Sequence, residues 1–147
     1  DMPVTPNSIV TPQTPKITPQ NFVQGTDAAG TYKTIYTAGS SGSKIVAINV
    51  STDDGSATHV LNLTLTRSAT DYIIGSYTLP VNSGTDGSAA SIDLLRGGPN
   101  TLIPGLPLDN DGQRYLFLES GDTLRMTFAT ALTASKRINV VTIGADF

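Results

Sequence analysis

The sequence contains no cysteine and no tryptophan, and it has one histidine and a single glutamate, Glu119. Without cysteine, the chain offers no disulfide framework, no thiolate nucleophile and no cysteine-based zinc site. Charged residues make up only 14% of the chain, whereas an average soluble domain has about 25%. The net charge of -3 provides no basic field to hold nucleic acid.

Long apolar runs are also missing. The longest have only a few residues, far from the roughly 20 that a membrane-spanning helix needs. The first residues, from Asp1 to Pro6, have neither a basic nor an apolar region of the kind that opens a signal peptide. We therefore expect no membrane partner and no secretion signal, although a processed precursor remains open.

Strand and turn residues dominate instead, with 21 threonines and 14 glycines in 147 residues. This composition is poor material for helices and favours strands joined by turns. Period-2 alternation predicts seven strands, at residues 31–37, 43–51, 59–68, 71–81, 114–119, 123–130 and 137–145. Gly75 predicts a bulge or a close backbone approach within the fourth. The pattern is typical of an antiparallel β-sandwich, but it does not separate a jelly-roll from an immunoglobulin-like strand order.

One segment favours a helix. Residues 89–96 are good helix formers, Ser91 can cap their N-terminus, and two glycines and a proline follow at residues 97–99. We predict one short helical turn there.

Residues 1–21 differ from the rest, because they hold five of the nine prolines. Proline removes a backbone donor and favours extended geometry in the residue before it, so we predict an extended, stiff arm that is neither helix nor central strand. The remaining residues, 22–147, form a single β-sandwich domain in this interpretation. The arm is either a solvated linker or a segment that docks on a neighbouring subunit, and Ile9, Val10 and Ile17 favour docking.

Residues that would carry catalysis are few. The single histidine, His59, starts a predicted strand after a turn, and we expect it to be a solvated surface residue.

The acidic turns are the other candidates. The segment from Asp109 to Gly112 resembles part of a calcium loop, but Pro107 and Leu118 stand where an EF-hand needs ligands. The acidic turn at Asp53 and Asp54 is explained by hydrogen bonds to its own backbone. We therefore predict no catalytic residue, no cofactor and no metal site.

Tyrosines leave a different function open. Tyr32 and Tyr36 share parity on one predicted strand and could form an aromatic stripe for a sugar. Half-buried tyrosines with exposed hydroxyls explain them equally well. A carbohydrate-binding or adhesin module on a Pro/Thr linker is thus an alternative from a different functional class.

Part of the chain, about residues 75–147, resembles small virion proteins of tailed bacteriophages, of the capsid cement or decoration type. The segments that carry the resemblance are SIDLLR (91–96), IPGLPLD (103–109), Gly112, YLFL (115–118), SGDTLR (120–125) and INVVTIGADF (138–147). The resemblance implies a β-rich protein, often a jelly roll, that sits on the outer capsid surface as a dimer or trimer and clamps neighbouring capsomers. It implies as partners the major capsid protein and further copies of the chain.

The combined prediction is an all-β, jelly-roll-like antiparallel β-sandwich with one short helix and an extended N-terminal arm. It acts as a virion cement protein, and a tail, neck or fibre component is the alternative within the same class. The predicted partner contacts lie in the arm, at the residue that follows it and in the loop before residue 110: Ile9, Val10, Pro12, Pro15, Ile17, Phe22, Leu102, Ile103, Leu106 and Leu108.

Overall fold

The computed structural model describes residues 11–96, 103 and 105–147, and within them it forms nine β-strands and no helix. The strands are β1 (Thr14–Val23), β2 (Lys33–Thr37), β3 (Ser43–Thr52), β4 (His59–Arg67), β5 (Thr70–Leu79), β6 (Ile92–Asp93), β7 (Leu116–Leu118), β8 (Thr123–Ala129) and β9 (Arg137–Asp146). The seven strands predicted from alternation correspond to β2–β5 and β7–β9, which confirms them. Strands β1 and β6 were not predicted.

The strands pair in a nested order. Strand β4 pairs with β5, β3 with both β6 and β7, β2 with β8, and β1 with β9, always antiparallel. The chain is thus a long antiparallel ribbon, folded at the β4–β5 turn, whose successive pairs alternate between two sheets. The first sheet has the order β1-β9-β3-β6, with β7 also on β3, and the second has the order β2-β8-β4-β5. This confirms the β-sandwich, and the order is that of a jelly roll.

The core lies between the two sheets and is built from alternate residues of their strands. On β9, for example, Ile138, Val140 and Thr142 are buried while Asn139, Val141 and Ile143 are not. Phe22 of the first sheet meets Phe128 of the second, with ring centroids 5.0 Å apart. The fully buried large side chains come from both sheets and the loops: Tyr36, Phe22, Phe128, Ile35, Ile45, Ile48, Leu61, Leu79, Leu95, Leu124, Met126 and Ile138.

Strand β1 changes the interpretation of the N-terminal segment. Every residue from Thr14 to Val23 pairs with β9, so the sheet begins well before the predicted boundary at residue 22. Strand β1 lies at the edge and pairs only with β9. An edge strand tolerates Pro15 and Pro19, because it needs hydrogen bonds on one side only. Of the predicted arm, residues 1–10 lie outside the described residues.

The helix predicted at residues 89–96 is wrong. Ile92 and Asp93 form strand β6 against Val50 and Asn49 of β3. The Asp93 carboxylate accepts hydrogen bonds from the backbone N–H groups of Ile48 and Leu95, each at 3.0 Å. These bonds offer the backbone an alternative to a helical turn, which a short isolated segment cannot outcompete.

Candidate interaction surface

The outer face of the first sheet is built from cross-strand rows of side chains that point away from the core. One row runs Pro15, Ala145, Lys44 and Phe117 across β1, β9, β3 and β7. The next row runs Ile17, Ile143 and Ala47, and the third runs Pro19, Val141 and Asn49. We call these three rows the apolar face, since Lys44 is the one charged side chain among these ten.

The apolar face is exposed in the described structure. Ile17 is 63% exposed, and Ile143 and Val46 beside it are also exposed. Antiparallel sheets that face water usually alternate apolar side chains inward with polar ones outward. Here eight of the ten outward residues in the three rows are apolar as well, which marks a surface suited to contact with another protein.

A bulge in β3 shapes the middle of the apolar face. The β3–β9 register shifts between Ile45 and Ala47, which turns Val46 outward. Gly144 lies opposite, and a Cβ atom on it would meet the Lys44 carbonyl oxygen at 2.5 Å. The two strands therefore approach here to a distance that only glycine permits.

Three aromatic rings extend the apolar face at one end of the sheet. The ring centroids of Tyr115 and Phe117 are 4.8 Å apart, and those of Phe117 and Phe147 are 5.7 Å apart. The Lys44 ammonium lies 4.7 Å from the centroid of Tyr115. Phe117 is half exposed, so this end offers both apolar area and a cation.

The structure separates the predicted contact residues into three groups. Ile17 and Pro15 lie on the apolar face, and Pro12 precedes it on the chain. Phe22 is completely buried and presents no surface to a partner, because residue 22 falls on the inward side of β1. Three further positions, Ile9, Val10 and Leu102, lie outside the described residues.

The predicted loop contact belongs mainly to the core. Leu106 is buried and Ile103 packs against the core cluster, so the two stabilise the domain. Leu108 is exposed, and its backbone forms an isolated bridge with Arg114. Of the predicted contacts in this loop that the structure describes, Leu108 is therefore the one that offers apolar area to a partner.

The prediction that His59 is a surface residue is wrong, because its side chain is fully buried beside Asp54. His59 Nε2 lies 2.8 Å from Asp54 Oδ2, and Nδ1 lies 3.0 Å from the Thr130 carbonyl oxygen. Both ring nitrogens thus lie within hydrogen-bond distance of an oxygen atom. The pair ties the β3–β4 turn to the end of β8.

Asp54 receives more hydrogen bonds than its histidine alone. Its carboxylate also accepts from the backbone N–H groups of Ser56, Ala57 and Thr133 and from the Thr133 hydroxyl. Burial raises the pKa of Asp54, but these donors and His59 outweigh it and hold the pKa well below its usual range. As predicted, this acidic residue binds its own turn; the contacts to Thr133 and His59 could not be read from the sequence.

The aromatic stripe that Tyr32 and Tyr36 could have formed for a sugar is absent, because Tyr36 lies in the core. The β2–β8 register shifts between Thr34 and Tyr36, which interrupts the alternation of inward and outward side chains along β2. Tyr36 is therefore fully buried. Its hydroxyl donates to Asp146 at 3.0 Å. Tyr32 precedes β2 at the surface, where the Arg125 guanidinium lies 5.1 Å from its ring centroid.

In the described part of the chain, no group of three or more acidic or histidine side chains is arranged to hold a metal ion. No helix long and apolar enough to cross a membrane occurs in residues 11–96, 103 and 105–147.

The apolar face was not predicted as such, although one signal for it was present. In β9, apolar residues occupy both sides of the strand: Ile138 and Val140 lie on one side, and Val141 and Ile143 on the other. A half-exposed strand needs only one apolar side, so the second was available as evidence for a contact surface.

Comparisons with known proteins give structural matches alone. No family model matches the sequence, and no curated protein matches it. A solved structure described as a cyanophage Pam1 capsid asymmetric unit aligns over 90% of this chain and 85% of its own, with 14% identity and a TM-score of 0.49. A pentameric capsid protein from metagenomic phage sequences aligns over 88% of this chain and 59% of its own, with 16% identity and a TM-score of 0.38.

Proposed function

We propose that this chain is a structural protein of a bacteriophage capsid, of the cement or decoration type. It binds the major capsid protein and neighbouring copies of itself on the outer surface of the shell. Three features support the proposal: the resemblance carried by residues 75–147, the jelly-roll order, and the exposed apolar face. The apolar face carries most weight, because it is a surface that the isolated chain leaves uncovered.

The physical basis is the burial of side chains that are exposed in the single chain. Covering a fully exposed isoleucine contributes about 1.5–3 kcal/mol, and Ile17, Ile143 and Val46 lie on the same face of the first sheet. Few charges have to be desolvated, since Lys44 alone is charged among the ten face residues. On a shell with many identical positions, links between neighbouring copies multiply a modest contact into firm attachment.

The experiment is binding of the purified chain to capsids assembled without it, measured by co-sedimentation and located by cryo-electron microscopy. Density on the outer surface at regular positions supports the proposal. Density at the tail, neck or fibre supports the alternative within the same class, and no binding to the virion contradicts both. Glycan-array binding that depends on Tyr32 or Tyr72 would favour the carbohydrate-binding alternative.

A further inference from the structure

The aromatic end of the apolar face forms a groove with a volume of about 470 Å³. Phe117 and Phe147 line it together with the turn residues Ser41, Gly42 and Ser120. Phe117 is 50% exposed, and it lies in the centre of the short edge strand β7. An aromatic-lined groove at a strand edge is a surface that extended peptides can fill.

Residues 11–13 enter the first sheet at the same end. The Gln13 N–H donates to the Asp146 carbonyl at 2.8 Å, and the next residue, Phe147, donates from its N–H to the Gly42 carbonyl at 3.1 Å. The segment comprising residues 1–10 therefore joins the domain at the end that carries the groove. The fold thus fixes where this segment starts.

The sequence of residues 1–10, DMPVTPNSIV, suits an aromatic groove. Pro3 and Pro6 favour the extended polyproline geometry, which loses little entropy on docking. Val4, Ile9 and Val10 supply apolar side chains, and Asp1 is the one ionisable side chain. The groove is lined by Phe117 and Phe147, whose rings pack well against proline, and by the Glu119 side of the turn, while Lys44 pairs with Phe117 just outside it.

The geometry favours the groove of a neighbour over that of the same chain. Strands β1 and β7 are separated by β9 and β3, so they lie roughly 14 Å apart at usual strand spacing. To reach Phe117 of its own groove, the segment would have to turn sideways at the end of β1 and cross the ends of β9 and β3. In polyproline geometry ten residues would span about 31 Å, a length that can reach a neighbouring copy.

We propose that the groove lined by Phe117 and Phe147 receives residues 1–10 of a neighbouring copy. This inference rests on the proposed function in one respect, since it names the contact by which copies on a shell link to one another. The occupant is a proline-rich segment of the same sequence, so each copy both donates a segment and offers a groove.

Cysteine cross-linking between two differently labelled chains tests this contact, because the natural chain has no cysteine. One full-length chain carries Val4→Cys and the other carries Ser120→Cys at the groove. Ser56→Cys is the matched control, an exposed turn serine at the opposite end of the sandwich. Mixed disulfides are measured in solution and on capsids, and any mixed product is intermolecular by design.

We expect the pair with Ser120→Cys to cross-link roughly tenfold faster than the pair with Ser56→Cys, since docking raises the local thiol concentration. Adding Phe117→Ala to the groove chain should remove the difference. Adding Tyr72→Ala, which removes an aromatic residue of similar exposure from the other sheet, should leave it unchanged. Equal rates at the two serines, or no effect of Phe117→Ala, would overturn the inference.

Capsid binding is scored separately in the same samples. Capsid binding without preferred cross-linking at Ser120→Cys overturns the segment contact and leaves the proposed function standing. Preferred cross-linking in solution without capsid binding has the opposite meaning: the contact exists, and the cement function is wrong.

Discussion

His59 Nε2 lies 2.8 Å from Asp54 Oδ2, and both side chains are fully shielded from solvent. The pair holds the β3–β4 turn against Thr130 and Thr133, which follow β8. It thereby closes the end of the sandwich opposite the aromatic groove. A buried pair with so many hydrogen bonds acts on stability, and it lies away from the apolar face.

Replacing Asp54 should therefore destabilise the fold strongly. Asp54→Asn removes the charge that faces the imidazole and weakens several hydrogen bonds, and breaking such buried pairs costs about 3–5 kcal/mol. Urea unfolding followed by circular dichroism measures the loss. Asp111→Asn, in an exposed turn, is the control and should change the free energy of unfolding by less than about 0.5 kcal/mol. Similar losses for the two variants would contradict a structural role for the buried pair.

Acid should unfold the protein through its paired carboxylates. The pKa of Asp122 is lowered chiefly by the hydrogen bonds from Arg67, and that of Asp54 is lowered although burial raises it. A lowered folded-state pKa adds stability that is present above the unfolded value of about 3.9 and is lost as pH falls through the folded value. We expect the melting temperature to drop below about pH 4, with a smaller drop in Asp54→Asn. An equal drop in both would exclude Asp54 from this effect.

Alkali should act through Tyr36. Burial raises its pKa to about 12, and the neighbouring Asp146 carboxylate adds to the rise. Because an unfolded tyrosine ionises near 10, the stability from this group is present below that pH and is lost as pH rises toward the folded value. Thermal melts between about pH 9 and 12 measure the loss. The Tyr36→Phe variant should lose less over this range, and identical pH profiles would contradict the assignment.

The contact between β3 and β9 makes Gly144 a sensitive position. Gly144→Ala places a Cβ atom 2.5 Å from the Lys44 carbonyl oxygen, and overpacking of this kind costs about 1–3 kcal/mol. Gly105→Ala is the matched control, since a Cβ there meets nothing within 4 Å. Unfolding in urea should separate the two variants, and equal stability would show that the strands can move apart.

Alternation alone predicts the seven strands because most of them bury one side and expose the other, although β5 is exposed along its first half. Alternation fails at Tyr36 and Val46, because a bulge there shifts which residues face the core. Bulges arise from pairing with another strand, so the sequence of one strand does not reveal them. It also misses β1, whose prolines exclude a central strand and not an edge one. The helix expected at residues 89–96 is overridden by Asp93, whose carboxylate binds the β3 backbone.

The candidate surface depends on long-range pairing, so the sequence reveals little of it. Ile17 and Pro15 are predicted as contacts, but they meet Ile143, Ala145 and Phe117 only because β1, β9, β3 and β7 lie side by side. Phe22, the residue directly after the predicted arm, lies on the same strand as Ile17 but points into the core, since alternate residues of a strand face opposite sides. The burial of His59 likewise depends on Thr130, 71 residues further along the chain.

The most direct test of the account compares two isoleucines on edge strands of the two sheets. Ile17, on β1, is 63% exposed on the apolar face, and Ile73, on β5 of the other sheet, is 61% exposed. Ile17→Lys and Ile73→Lys thus make the same chemical change at equal exposure. The measurement is the affinity of each full-length variant for capsids assembled without the protein, by quantitative co-sedimentation.

We expect Ile17→Lys to weaken capsid binding roughly tenfold or more, since 1.4 kcal/mol corresponds to a factor of ten. Ile73→Lys should bind capsids as the natural chain does. Unchanged binding of Ile17→Lys, or an equal loss in both variants, would contradict the apolar face as the surface that attaches this protein to the capsid.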